Sequence, residues 1–219
     1  MTVIAVCISA ITFGQDPITK NVGDFTEVKV YDRIVVNLVK SDENKVVVSG
    51  ADASQVEVVN KDGKLKIRME FDLIFDGNHT FVNVFYNNLK IIDGNEGAEI
   101  TSNELIEQDE IKIKMQEGAR IRVGLKVRNA DMRAVTGGII EATGMGTSQD
   151  VTVNTGGVYE GRDFETEEAK VFVQAGGEVE VYASKKADIT IRAGGDVDVY
   201  GKPAEVKRRR TFGGRVRVM

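Results

Sequence analysis

Apolar and polar residues alternate in short runs through the second half of the chain, and each run lies next to a pair of glycines. The pairs follow one another at steps of 19, 20, 18 and 19 residues: Gly137-Gly138, Gly156-Gly157, Gly176-Gly177, Gly194-Gly195 and Gly213-Gly214. Two looser copies, Gly97-Ala98 and Gly118-Ala119, precede them. A fixed period of about 20 residues is typical of stacked supersecondary units, none of which buries its apolar face alone.

The alternation predicts a β-strand on each side of every glycine pair. Every second side chain of a strand faces the same side, so apolar residues at alternate positions form predicted core columns. After the pairs, these columns are Ile140, Tyr159, Val179, Val197 and Val216, and then Ala142, Gly161, Val181, Val199 and Val218. Before the pairs, the columns contain Met132 and Ala134, Val151 and Val153, Val171 and Val173, and Ile189 and Ile191.

Each predicted unit is therefore a strand, a glycine corner, a second strand and a polar turn. Glycine suits such corners because it adopts positive φ without a steric penalty, or because it lets the chain turn without a Cβ clash. No segment with helical periodicity is long enough to supply crossover helices, which are the alternative connection between parallel strands. The sequence thus predicts an all-β parallel β-helix, a solenoid with coils of about 19 residues.

The first half of the chain has a different pattern. Short alternating runs follow one another, and Asp62-Gly63 lies between two of them, which is a hairpin signal. We therefore expect residues 16–88 to form short, partly antiparallel strands that cap a solenoid of residues 89–219. In the last coil, Arg208 and Arg210 occupy columns where earlier coils have Val or Ile, which predicts a terminal coil that is open on one side.

Composition narrows the chemistry. The 219 residues suit one large domain or two small ones, and the net charge is −5. Cys7 is the only cysteine and His79 the only histidine, which excludes an intrachain disulfide and a Cys/His metal site. The acidic balance argues against nucleic-acid binding, which depends on basic surface.

Residues 1–15 carry no charged side chain and resemble the apolar core of a secretory signal, although a basic start is missing. Cleavage would then occur before Gln15. The stretch is too short to cross a bilayer, which needs about 20 apolar residues. Cys7 lies inside the apolar run rather than after it, which argues against a lipid anchor. A buried first strand is the alternative.

Two long segments resemble a known family. The opening GDFTEVKVYDRIVVNL and VVVSGADASQVEVVNKDGKLKI, and the closing AGGDVDVYGKPAEVKRRRTFGGRVRV with its Tyr200, Gly201 and Pro203, resemble the auto-transporter adhesin head GIN domain family. The resemblance covers about residues 22–219 and implies a right-handed β-helix exported from a Bacteroidetes-type cell. It implies no catalytic residue and no cofactor. The chain departs from the family where it has Gly-Gly instead of Gly-Ser-Gly.

The third residue after each glycine pair points outward and is usually acidic. The column contains Arg122, Glu141, Glu160, Glu180, Asp198 and Arg217, and Glu178 and Asp196 lie beside its lower half. Like charges on neighbouring strands repel, and Ca²⁺ binds several carboxylate oxygens at once. A calcium site at Glu178, Glu180, Asp196 and Asp198 is therefore one prediction, and a solvated acidic face is the alternative.

The last 19 residues are strongly basic. From Gly201 onwards the net charge is +6, so residues 1–201 carry −11. This segment is either a charged cap that prevents end-to-end stacking or a binding surface for anionic glycans, lipid headgroups or an acidic partner. The candidate residues are Lys207, Arg208, Arg209, Arg210, Arg215 and Arg217, with Tyr182 and Tyr200, which either pack on a sugar ring or stack on each other.

These features predict a non-enzymatic, exported cell-envelope or surface protein, an adhesin that binds a glycan or another surface partner. A structural envelope module that associates with copies of itself is the first alternative. The second is a carbohydrate-active β-helix enzyme. Such an enzyme needs an acid and a base in different environments, whereas the acidic residues of this chain recur in equivalent positions. No cofactor other than calcium is expected.

Overall fold

The computed structural model describes residues 16–219, so the predicted signal sequence lies outside the described residues. The first nine strands are β1 Ile18–Asn21, β2 Glu27–Val30, β3 Val35–Lys40, β4 Lys45–Gly50, β5 Val56–Lys61, β6 Lys64–Met69, β7 Thr80–Tyr86, β8 Ile91–Gly94 and β9 Glu99–Met115. The others are β10 Arg120–Val135, β11 Ile139–Asn154, β12 Val158–Glu165, β13 Glu168–Gln174, β14 Glu178–Tyr182, β15 Lys186–Ala193, β16 Asp196–Tyr200, β17 Glu205–Phe212 and β18 Arg215–Val218.

Helical structure is limited to short 3₁₀ turns in the described part of the chain. They span Ala53–Gln55, Phe71–Leu73 and Gly77–His79. Within residues 16–219, no helix has the length and apolar character needed to cross a membrane.

The second half of the chain is a parallel stack of coils, as predicted. β9, β10 and β11 pair in parallel order, and β11 then pairs with both β12 and β13. Two parallel series continue to the C-terminal end, one through β12, β14, β16 and β18 and the other through β13, β15 and β17. The chain makes about seven turns of about 19 residues each, which confirms the β-helix.

The predicted core columns lie inside the stack. Val171 and Ile189 are registered neighbours, as are Val179 and Val197, and all four side chains are buried. Gly161 occupies a position that is valine in later coils because the ring of the buried Tyr159 fills the space. A Cβ on Gly161 would lie 2.3 Å from that ring.

The glycine corner before β11 shows both uses of glycine that the sequence predicts. At the corner before β11, positive φ falls on Thr136 (50°) and Gly137 (73°), and Gly138 has no positive φ. Gly138 is needed for space instead, because a Cβ there would lie 2.1 Å from the carbonyl oxygen of Met115. Each corner is also bonded to the next, as when the Gly137 N–H donates to the Thr155 carbonyl over 3.2 Å.

The N-terminal region combines parallel and antiparallel pairs. β2 pairs in parallel with both β6 and β8, and β3 pairs in parallel with both β7 and β9. The coil of β2 and β3 therefore lies between coils that come later in sequence. β4 and β5 run antiparallel to β7 and β6, and β1 runs antiparallel to β4. The predicted hairpin joins β5 to β6, with φ of 53° at Asp62 and 76° at Gly63.

The C-terminal coil leaves the stack open. Arg208 is registered against Ile189 and Arg210 against Ile191, and both arginines are exposed whereas both isoleucines are fully buried. Val206 and Val216 are only half-buried against the core. The last coil thus covers the core beneath it, and nothing in the described chain covers the last coil.

We predict that Val197→Asp strongly destabilises the fold. Val197 is fully buried, and an unpaired carboxylate among apolar neighbours should cost about 3–5 kcal/mol in the free energy of unfolding. Val59→Asp is the matched control, because Val59 is 49% exposed on β5. Chemical denaturation of both variants checks this. Equal stability of Val197→Asp and the unmodified chain would contradict the register.

Candidate functional site

The predicted acidic column is a continuous ladder on the outer face. Glu141 is registered against Glu160, Glu160 against Glu180, and Glu180 against Asp198. An arginine closes each end. Arg122 Nε lies 2.7 Å from Glu141 Oε2, and Arg217 Nε lies 2.6 Å from Asp198 Oδ1.

Arginines also neutralise the lower rungs of this ladder. Arg215 donates two hydrogen bonds to Asp196, at 3.0 and 2.6 Å, and Arg217 donates two to Asp198, at 2.6 and 2.7 Å. The hydrogen bond from Arg215 holds the pKa of Asp196 below its ordinary value. This pairing therefore stabilises the fold above the ordinary aspartate range and is lost as pH falls through the lowered pKa.

The same pairing constrains the predicted calcium site. Within residues 16–219, no three His, Cys, Asp or Glu side chains converge closely enough to hold a metal ion. A cation at Glu178, Glu180, Asp196 and Asp198 would have to draw these carboxylates together and share the aspartates with the two arginines. The calcium site stays a prediction, and it requires this rearrangement of the four carboxylates.

Tyr182 and Tyr200 are registered neighbours on β14 and β16. Both side chains are half-buried. A hydrogen bond with Tyr200 raises the pKa of Arg162, so Arg162 also lies beside the pair. The tyrosines share a column, as the sequence indicated, and the part of their rings that is left for a sugar is limited.

The basic C-terminal segment divides into two groups. Four of its side chains already form ion pairs, namely Lys207 with Glu205, Arg209 with Asp188, Arg215 with Asp196 and Arg217 with Asp198. Lys202, Arg208 and Arg210 are exposed and have no ion-pair partner among the described residues. The free positive charge of this end therefore rests on these three residues.

An open polar groove runs along a different face of the solenoid. Its volume is about 1350 Å³, and most of its lining comes from five successive coils, through β9, β10, β11, β13 and β15. Since neighbouring strands lie about 4.8 Å apart, five coils give a length of about 19 Å. Six basic and six acidic side chains line the groove, so its charges are balanced.

The groove floor is a column in which charges are paired between coils. Lys112 Nζ lies 2.6 Å from Asp131 Oδ2, and Lys170 Nζ lies 3.0 Å from Asp150 Oδ2. Asp188 follows Lys170 in register and pairs with Arg209. The floor therefore presents fixed donors and acceptors in each coil.

A second polar column forms one wall of the groove. Ser148 Oγ donates to Asn129 Oδ1 over 2.8 Å, and Asn129 Nδ2 donates to Glu110 Oε1 over 3.4 Å. Glu168 and Lys186 continue this column towards the C-terminal end. Neighbouring coils thus hold the wall side chains in place, as they do those of the floor.

The groove is not among the sites predicted from the sequence. The sequence nevertheless carries a signal of the groove, because the floor residues lie six positions before the first glycine of each corner: Lys112, Asp131, Asp150, Lys170 and Asp188. The outward columns predicted from the sequence lie after the glycine pairs, whereas the floor of the groove lies before them.

Comparison with known protein families shows which family this chain belongs to. The family model described as putative auto-transporter adhesin, head GIN domain, matches residues 24–203. The chain belongs to this family. Among curated proteins, no sequence matches this head GIN protein.

Solved structures share the head GIN fold. A putative adhesin from Bacteroides fragilis has a TM-score of 0.85 at 14% identity, over 94% of this chain and 98% of the other. A putative adhesin from Parabacteroides merdae has 0.74 at 16% identity, over 95% and 97%. A putative lipid binding protein from Parabacteroides distasonis has 0.71 at 15% identity, over 95% and 98%. At these identities the likeness shows the fold alone.

The calcium prediction has a direct thermal test. An ion that binds the folded chain and not the unfolded one raises stability by mass action, by about 2.7 kcal/mol at a hundred times its dissociation constant. The melting temperature should then be higher in millimolar CaCl₂ than in NaCl of equal ionic strength or in chelator. Equal melting curves in CaCl₂ and NaCl would leave the ladder as a solvated face, because screening does not depend on the cation's identity.

Proposed function

We propose that this head GIN protein is a non-enzymatic, exported surface protein that binds a glycan along the polar groove. The groove itself carries the proposal, since it is long, open, charge-balanced and lined by side chains that hydrogen-bond between coils. The family is described as an adhesin family, which supports a binding role at a surface.

The chemistry of the lining favours sugars. A saccharide chain offers many hydroxyl groups that both donate and accept, and the groove offers carboxylates, ammonium groups, amides and a serine hydroxyl in turn. Coils repeat about every 4.8 Å, which is close to the length of one hexose unit in an extended chain. Each coil would therefore meet about one sugar with an equivalent set of polar groups.

The stack also supplies preorganisation. The side chains of Lys112 and Asp131, and of Asp150 and Lys170, are already paired in the free protein. Binding then immobilises few additional side chains. The entropic cost of ordering them is therefore small, and more of the binding free energy is retained. The backbone beneath them is hydrogen-bonded to coils on both sides, which fixes the spacing of these side chains.

A neutral or zwitterionic glycan fits better than a lipid. The described neighbour from Parabacteroides distasonis is a putative lipid binding protein, but the groove of this chain is lined by twelve charged side chains. Burying an acyl chain against them would desolvate those charges without replacing their partners. The groove therefore favours the hydroxyl-rich ligand.

The non-enzymatic assignment rests on the environments of the acids. Asp131 and Asp150 are about half exposed, and each is neutralised by a lysine of a neighbouring coil. Glycoside cleavage needs one protonated and one ionised carboxyl group that their surroundings hold apart. Release of products from neutral or acidic polysaccharides by the purified protein would overturn this part of the proposal.

Export follows from the apolar residues 1–15 together with the adhesin family. The mature chain recovered from its native host should then begin near Gln15. Protein that retains Met1 in the cytoplasm would contradict export without affecting the groove.

We predict that the groove variant Asp150→Ala/Lys170→Ala loses glycan binding. Both side chains line the groove floor, so their removal takes away a donor and an acceptor from one coil, and the dissociation constant should rise at least tenfold. An array of neutral and acidic oligosaccharides identifies the glycan, and calorimetry with that glycan measures the change.

Glu57→Ala/Arg68→Ala is the matched control, because it removes an ion pair of 2.6 Å on β5 and β6, away from the groove. Exposed ion pairs contribute about 0–1 kcal/mol to stability, so both variants should fold. Glycan binding that the control retains and the groove variant loses supports the proposal. Absence of any bound glycan on the array, or equal losses in both variants, would contradict it.

A further inference from the structure

A loop near the N-terminal end of the solenoid exposes three large apolar side chains. Phe71 is 85% exposed, Phe75 52% and Ile74 43%. They lie within five residues of one another, in the connection between β6 and β7. Single exposed apolar residues are ordinary on protein surfaces, but an apolar cluster marks an interaction site.

A buried carboxylate holds this loop in one shape. Asp32 is only 3% exposed, and its two carboxylate oxygens accept the N–H groups of Met69, at 3.0 Å, and Phe75, at 3.1 Å. Its carbonyl oxygen accepts the N–H of Gly77 at 2.9 Å. Both ends of the loop are thus fastened to one residue of the neighbouring coil.

The backbone of the loop is strained where the aromatic side chains are presented. Phe75 has φ of 67°, a left-handed conformation that is costly for a bulky side chain. Gly77 cannot be replaced, because a Cβ there would lie 2.4 Å from the Asp32 carbonyl oxygen. The fold therefore tolerates a backbone strain that lowers its stability and keeps these side chains exposed. A surface that is held in one shape before its partner binds is expected to have this property.

The rim of the loop is acidic. Glu70, Asp72 and Asp76 are exposed, and none of them forms an ion pair within the described chain. An anionic membrane surface would repel three uncompensated carboxylates. The surface that complements this loop is apolar at its centre and basic around it.

The opposite end of the same chain has that character. Phe212 is 75% exposed, Met219 54% and Val218 40%. The three basic residues of this end that have no ion-pair partner within residues 16–219 are Lys202, Arg208 and Arg210. β17 and β18 each pair on one side only, so their outer edges are open as well.

We propose that the protein associates head to tail, with the Phe71–Phe75 loop of one copy docked on the open C-terminal coil of a second copy. Apolar side chains meet at the centre, and the three acidic residues face the three basic ones. The two surfaces differ, so the contact is heterologous: the copy that contributes its loop keeps a free C-terminal coil, and the other copy keeps a free loop. Such a contact builds rings or open chains rather than a closed dimer.

This association is separate from glycan binding because it uses neither the floor nor the wall of the groove. It also gives the C-terminal arginines at core positions a role. Their positive charge repels the identical basic coil of another copy and attracts the acidic, apolar loop. Several copies joined in this way would present several grooves, which raises avidity for a repeating surface.

Charge reversal tests the contact. The loop variant is Asp72→Lys/Asp76→Lys and the end variant is Arg208→Glu/Arg210→Glu, so in either variant alone like charges meet at the contact. Analytical ultracentrifugation over a wide concentration range should detect assembly of the unmodified chain that weakens with NaCl, since charge attraction is screened. In each variant alone, the association constant should fall at least tenfold.

The decisive sample is an equimolar mixture of the two variants. The lysines of one then face the glutamates of the other, and the native acidic loop faces the native basic end, so assembly should return. Asp163→Lys/Glu165→Lys is the matched control, because both side chains are exposed on β12 away from either end, and it should assemble like the unmodified chain. Melting curves establish that every variant is folded.

The proposal is wrong if the unmodified chain stays monomeric at all concentrations, if assembly survives both charge reversals, or if the mixture of the two variants does not assemble. A monomer that instead binds phosphatidylcholine vesicles, and loses that binding in Phe71→Ser, would assign the loop to a membrane and also overturn the proposal.

Discussion

The hydrogen bonds between parallel coils are the constraint on which the rest of this protein depends. Each coil is tied to its neighbours in fixed register, so residues about 19 positions apart become lateral neighbours about 4.8 Å from each other. A single apolar column then makes a continuous core, and a single polar column makes a continuous surface. The corners join the same network, since the N–H of one turn donates to the carbonyl of the next.

The sequence could predict the columns that its glycines mark. Val179 and Val197 are neighbours because both stand two residues after a glycine pair, and the acidic ladder follows from the same alignment. The order of the N-terminal coils could not be predicted from the sequence. Alternation identifies β2 as a strand but does not show that it pairs with β6 and β8. The hydrogen bonds that Asp32 accepts from Met69 and Phe75 could not be predicted either, since a single aspartate in the sequence does not indicate which loop it contacts.

The register also explains why charge is distributed so differently along the molecule. In the groove, lysines and aspartates of neighbouring coils form ion pairs and neutralise one another. At the C-terminal coil, no further coil of the described chain supplies a partner, and the acidic residues of the Phe71–Phe75 loop form no ion pair within residues 16–219, so unpaired charge of opposite sign remains beside exposed apolar side chains. One repeating backbone thereby carries balanced charge along the groove, unpaired acidic charge on the loop and unpaired basic charge on the C-terminal coil.

Disulfide trapping across neighbouring coils tests this central claim most directly. With Cys7 replaced by Ser, the pair Asp150→Cys/Lys170→Cys joins registered positions of β11 and β13, and strands about 4.8 Å apart suit a disulfide. The off-register pair Asp150→Cys/Phe172→Cys has its Cα atoms about 8 Å apart, which is too far. The account predicts rapid oxidation of the first pair to an intramolecular disulfide and free thiols in the second, measured by mass spectrometry. Equal oxidation of both pairs, or oxidation of the second alone, would contradict it.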